Sequence, residues 1–248
     1  MRLVIGFALV LSPILMFSQI VNVESKRSGK KEEGWNGSID LNFSLTRNTS
    51  DVLSYGGKTS NQYLKNRHRY LLLADLNRVQ AGGDIFVNQG YEHLRYNYEF
   101  GEEKRLAAEV FQQAQFNSVQ KIKFRHLSGA GLRYAPINQD SLKVWAGSIL
   151  MYEYEELTTA AIQRNFRQSS YLLFYVAFKK FEFQTINYYQ PKWGDFSDFR
   201  VSTSSTVEFG VLKWLRFTTG FELLYDSEVP EEVPAVVFSL KNGLRLEF

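Results

Sequence analysis

Hydrophobic and polar residues alternate along this chain with the period of a β-strand. Between Gly34 and Thr46, the residues Trp35, Gly37, Ile39, Leu41, Phe43 and Leu45 share one face, and Asn36, Ser38, Asp40, Asn42, Ser44 and Thr46 share the other. That run exceeds an ordinary strand of about 5–6 residues and suits a tilted membrane strand of about 9–11 or more. The C-terminal stretch Val236–Phe248 repeats the pattern, with Phe238, Leu240, Leu244, Leu246 and Phe248 against Ser239, Lys241, Gly243, Arg245 and Glu247. An apolar strand left as an open edge invites aggregation. In a closed outer-membrane barrel it has a partner on each side and lipid against its apolar face.

The same period predicts twelve strands. After the first come Val52–Leu64, Arg69–Asn77, Tyr91–Phe100, Arg105–Asn117, Lys121–Ala135, Ser141–Glu155, Gln168–Lys179, Phe181–Gln190, Phe199–Val211, Trp214–Asp226 and Pro234–Phe248. Glu102–Phe116 is rich in helix formers, yet as a strand it keeps Leu106, Ala108, Val110, Ala114 and Phe116 on one face, with Gln112 the misfit. Short connections near Lys65–His68, Gly101–Lys104, Ile137–Asp140, Lys179–Lys180 and Leu212–Lys213 alternate with longer ones at Arg78–Gly90, Leu157–Arg167, Pro191–Asp198 and Ser227–Val233. Such alternation marks periplasmic turns and outer loops, although the first outer loop, Arg47–Asp51, is short. An even strand count puts both chain ends on the periplasmic side. The reading is an all-β, transmembrane, antiparallel up-and-down barrel over residues 34–248, closed by pairing the last strand with Trp35–Thr46. The rival is a soluble periplasmic β-sandwich.

The N-terminus adds an address. Arg2 precedes an apolar run, Leu3–Phe17, broken by Pro13 and followed by Ser18 and Gln19. At about 15 residues the run is shorter than a spanning helix of about 20, so residues 1–19 read as a cleaved signal peptide rather than an anchor. Residues 20–33 are polar, charged and aperiodic, a flexible periplasmic leader. Zero cysteines exclude disulfides and thiolate chemistry, and a net charge of +3 is too small to argue for nucleic acid. The 4 Trp, 14 Tyr and 20 Phe suit the aromatic belts of a membrane barrel. Trp35, Tyr91, Tyr134, Tyr154, Tyr188, Tyr189, Trp193, Trp214 and Tyr225 fall near strand ends and read as those interface anchors.

The run Gly34–Thr46 resembles the opening strand of the DUF481 family. Gly129-Ala130-Gly131-Leu132-Arg133-Tyr134 and the stretch from Tyr189-Gln190-Pro191 to Asp195–Arg200 resemble it too. Arg47-Asn48-Thr49-Ser50 departs from the Gly-Asn that members often carry in the first loop. The resemblance implies a membrane barrel, among relatives that include salt-induced outer-membrane proteins of unknown function. It implies no catalytic residue, ligand or partner.

The chemistry the residues suggest is modest. Strand parity places Lys121, Lys123, Arg125, Arg133, Lys143 and Arg245 on the inward face, with Glu153, Glu155, Glu208, Glu222, Glu247, Arg216 and Lys241. A lumen of mixed sign is either a narrow path or an ion-paired plug, and the basic cluster would favour small anionic solutes. His126 and Ser128 lie two apart on one face, the spacing of a lipid-facing acyl hydrolase in which His activates Ser. Asn117 or Glu155 could orient the imidazole. The acidic outer loops suit cation-bridged lipopolysaccharide, but no Asp-x-Asp-x-Asp loop exists, and no metal site or cofactor is expected. Phe248 resembles the terminal aromatic read by barrel-assembly machinery. The sequence thus points to an outer-membrane barrel with a structural role in envelope maintenance under osmotic stress, or to a narrow passive solute channel, with the hydrolase as the alternative.

Overall fold

A computed structural model of the protein describes residues 33–47, 51–212 and 215–246. The signal peptide, all of the leader but Glu33, Trp214, Glu247 and Phe248 lie outside the described residues. The strands are β1 (Gly34–Arg47), β2 (Asp51–Lys65), β3 (His68–Ala81), β4 (Asp84–Phe100), β5 (Leu106–Asn117) and β6 (Ile122–Asn138). They continue with β7 (Leu142–Leu157), β8 (Ile162–Phe178), β9 (Phe181–Lys192), β10 (Asp195–Leu212), β11 (Leu215–Asp226) and β12 (Val236–Leu246). Each pairs antiparallel with the next, in one sheet ordered β1 to β12. Within the helix-forming segment Glu102–Phe116 the residues from Leu106 on are strand, and alternation turns Glu109 inward and Val110 outward.

The sheet curls into an up-and-down barrel, and contacts between strands far apart in the order report the curvature. The Tyr171 hydroxyl (β8) donates to Glu109 (β5) at 3.0 Å, and Arg200 (β10) reaches Glu153 (β7) at 2.5 Å. Lys121, in the turn between β5 and β6, reaches Glu232 in the connection between β11 and β12 at 2.8 Å. Among the described residues the ladders stop at β1 and β12; the pairing expected between those two strands is not among them.

Register sorts every side chain to one face. Outward, Trp35 and Leu41 are 78% and 84% exposed; inward, Asn97 and Glu153 are fully buried. Apolar clusters also sit inside: Leu71 and Leu73 beneath Tyr91, and Tyr171, Leu173, Ile186 and Tyr188 beside Trp145. Tyr91 and Tyr188 are therefore lumenal, not the interface anchors their positions near strand ends suggested. The anchors that remain form rows on the outward face. At the rim where β1 begins, Trp35, Tyr63, Tyr70 and Tyr96 stack with centroids 5.0, 6.2 and 5.0 Å apart. Toward the other rim, Phe199 lies 5.7 Å from Tyr189 and 5.5 Å from Tyr225.

The expected long loops are mostly strand. Gly82 and Gly83, both at positive φ, close β3 onto β4 in a two-residue turn, so Ile85–Val87 extend β4. The segments expected as loops at Leu157–Arg167 and Pro191–Asp198 likewise shrink to short turns at residues 158–161 and 193–194, with Ala160 and Gly194 supplying the positive φ. Of these connections only that between β11 and β12, residues 227–235, is long.

Candidate solute path in the lumen

The inward face of β3–β10 is packed with charges that find one another by register. Glu153 on β7 is the hub of one cluster: its carboxylate accepts from Arg167 Nε at 2.7 Å and Arg200 Nη1 at 2.5 Å, with Arg125 Nε at 3.5 Å. Arg167 also binds Asp198 at 2.7 Å, Arg200 binds Asp226 at 2.7 Å, and Arg125 binds Glu155. A second cluster centres on Glu109 of β5, which accepts from Asn97 and Tyr171 and faces Arg95 at 3.6 Å and Arg133 at 3.7 Å. Arg133 also lies 3.4 Å from Glu99 and covers the Trp145 ring at 4.8 Å. Breaking a buried pair costs about 3–5 kcal/mol because it strands the other charge, so each cluster holds as a unit.

The opposite wall mixes small residues with less buried charges such as Lys58, Glu222 and Lys241. On β1, β2 and β10–β12 the register turns inward Ser38, Asn42, Ser60, Ser204, Thr206 and Ser239, all half-buried or exposed. A Cβ added to Gly220 on β11 would meet nothing within 4 Å. The lumen is thus packed more tightly on β3–β10 than on the other strands, where Gly220 borders open space.

Its charge is of mixed sign. Lys58, Arg69, Arg95, Arg125, Arg133, Lys143, Arg167, Lys192, Arg200, Arg216 and Lys241 face inward, against Asp40, Asp75, Glu99, Glu109, Glu153, Glu155, Glu182, Asp198, Glu208, Glu222 and Asp226. Among the described side chains, neither sign stands alone on the inward face.

The residues singled out from sequence meet different fates. Arg125 and Arg133 are inward and ion-paired, as above. Lys143 is inward near the rim of the chain ends, its Nζ 5.1 Å from the Tyr175 ring centroid. Lys121 stands in the turn before β6, bound to the Glu231 carbonyl at 2.9 Å and Glu232 at 2.8 Å. Lys123 sits at a β-bulge between Ile122 and Phe124 that breaks strand parity; it is exposed and binds Glu156 at 2.5 Å, on the outward side. Arg245 lies opposite Arg216 in the β11–β12 register, and its side chain is outside the described residues, as is Phe248. The basic cluster is therefore not an unopposed cationic surface. Strand parity also reaches Arg95, Glu109 and Arg200, though nothing local in the sequence ranks them above other inward residues; Arg167 falls in a segment expected to be loop, and its inward place follows only from the longer β8.

His126 and Ser128 do share the outward face, opposite Ala114 and Gln112 of β5 and Tyr154 and Tyr152 of β7. Their suggested orienting groups do not join them. Asn117 is buried on the inward face, bound to Gln89, and Glu155 is inward with Arg125. No triad can be assembled from those residues, since the sheet itself separates them. His68 accepts or donates at Tyr96, and His93 is buried between strands with Gln113. Among the described residues no group of three metal-binding side chains gathers.

The family model described as a protein of unknown function, DUF481, matches residues 39–240. No curated protein matches the chain. Among solved structures the chain is similar to the NanC porin, with a TM-score of 0.48 and 8% identity, over 86% of this chain and 98% of that one.

Proposed function

The chain belongs to the DUF481 family of proteins of unknown function, and from that premise we propose that it is an outer-membrane β-barrel giving small solutes a narrow passive path. The observation that carries the reading is the uneven filling of the lumen, with buried ion pairs locking β3–β10 while small polar residues, Gly220 and exposed charges such as Lys58 and Lys241 line the rest. Two features support the membrane setting: the exposed apolar outward face and its aromatic rows. Residues 1–19 would be removed on export, and Phe248 would serve the assembly machinery. The preference for anions suggested by sequence is not part of the proposal, because carboxylates meet Arg125 and Arg133 inside and hold Lys121 and Lys123 outside the lumen.

Planar-bilayer recording tests it. Refolded protein should give small, single-channel currents with weak charge selectivity in a salt gradient, since charges of both signs face the lumen. A barrel serving only to strengthen the envelope would give no currents, and that result would end the path reading. Deleting Phe248 should impair insertion in cells and leave these currents unchanged.

A further inference from the structure

A groove of about 420 Å³ crosses the outward face of the sheet from β1 to β6. Four small residues, Gly57, Ala74, Gly90 and Ala114, one from each of β2 to β5, keep its floor low. A Cβ added to Gly90 would sit 2.9 Å from the Phe116 ring, and one added to Gly57 would sit 3.0 Å from Leu41, so both walls depend on the missing side chains. Strands lie about 4.8 Å apart, so the groove runs about 24 Å across the six strands and is one hydrocarbon chain wide. Glu92 breaks its apolar outward lining, on the same register row as Ala74 and Ala114. It stands exposed at the midpoint of β4 and makes no hydrogen bond or ion pair among the described residues. Thr59, Lys58, Asp75 and Gln115, which also line the groove, are engaged. Thr59 donates to the Ser38 carbonyl at 3.0 Å, Lys58 and Asp75 pair at 3.5 Å, and Gln115 accepts from Gln113 at 2.6 Å.

We propose that this groove binds a single-chain amphiphile with an ammonium head, its chain along the small-residue floor and its ammonium on Glu92. The inference takes the membrane setting from the reading above and adds a ligand on the face of the sheet away from the path. An ionisable side chain midway along a strand on the lipid side faces hydrocarbon, a costly position unless a partner neutralises it. Lipid tails already cover the groove in a bilayer, so chain contacts alone do not favour one amphiphile over another. The choice falls to Glu92. An alkyl carboxylate brings a second anion against it, and an alcohol leaves its charge unopposed. An ammonium supplies both the opposite charge and three donors for an acceptor-only group. A lipid with two chains does not fit a groove one chain wide.

The test titrates the refolded full barrel, in nanodiscs of dioleoylphosphatidylcholine, with radiolabelled dodecylammonium, dodecanol and dodecanoate, subtracting empty discs. Dodecylammonium should bind saturably and about tenfold more tightly than dodecanol, because hydrogen bonds to charged groups outweigh neutral ones. Dodecanoate should bind most weakly. Glu92→Gln should bring dodecylammonium down to the dodecanol value, and Ala74→Phe, which fills the floor, should remove saturable binding of both. Heat-modifiable migration on gels reports that each variant is folded. The inference is wrong if wild type binds no dodecylammonium saturably, if dodecanol binds as tightly, or if folded Glu92→Gln keeps the preference. None of these results touches the solute path, because groove and lumen lie on opposite faces of the sheet. A barrel that binds dodecylammonium as expected and carries no current would end the path reading alone.

Discussion

A Cβ added to Gly147 on β7 would sit 2.2 Å from the Tyr171 ring, whereas one added to Gly220 on β11 would meet nothing within 4 Å. Both glycines face inward from the same sheet. The first is a position where ring and backbone touch, and the absent side chain is what lets Tyr171 reach Glu109 across three strands. The second borders free space. The filled wall is a core, in which large charged and aromatic residues interlock as a soluble interior would. The open wall behaves as a surface, and solubilises rather than packs. One barrel thus separates the two demands on its lumen, rigidity on β3–β10 and passage along β10–β12 and β1–β2.

The contrast breaks most sharply at the charges. Arg167→Met leaves Glu153 and Asp198 short of their shared cation and should lower stability by about 3–5 kcal/mol, read from urea unfolding of the refolded barrel by tryptophan fluorescence. Lys58→Met, on the open wall, should cost about 1 kcal/mol or less. Equal losses would mean that the two walls are not different in kind. The glycines come next. Gly147→Ala forces the Tyr171 ring aside and should cost about 1–3 kcal/mol, while Gly220→Ala should stay within about 0.5 kcal/mol. The open wall can also be filled deliberately: Gly220→Trp should cut single-channel current several-fold with the barrel still folded, and an unchanged current would put the path elsewhere.

How much of this was legible in the sequence depends on what period two can carry. Alternation from Trp35 to Leu45, or from Leu142 to Tyr154, displays face and strand together, so the strand count and the inward placement of Arg125 and Arg133 follow directly. Strand ends are less legible, because Gly82–Gly83 makes a complete turn without any polar stretch to announce it. Bulges defeat parity outright, as at Lys123. The partner of a charge is the least legible, because it depends on register summed over several ladders. Glu153 meets Arg125 across one ladder but Arg200 across three. The difference between the walls was present as side-chain size along inward positions, yet it has meaning only once the inward faces are set around one lumen.

The smallest effect lies where the two walls are tied together. Lys121, in the turn between β5 and β6, holds Glu232 in the connection between β11 and β12, so the bond spans the mouth of the lumen from the filled side to the open one. The hydrogen bond and charge of Lys121 hold the Glu232 carboxyl below the ordinary glutamate range. A carboxyl lowered in the folded state contributes stability that is present above its unfolded pKa and lost as pH falls through the folded one. The tie is solvent-exposed, so its release should loosen the loop without unfolding the barrel. Carbon-13 titration of the Glu232 carboxyl should give a midpoint below about 4.3, the free value, and Lys121→Met should return it there. An identical midpoint in the variant would show that the loop is placed without Lys121, and the walls would then be joined at this rim by the backbone alone.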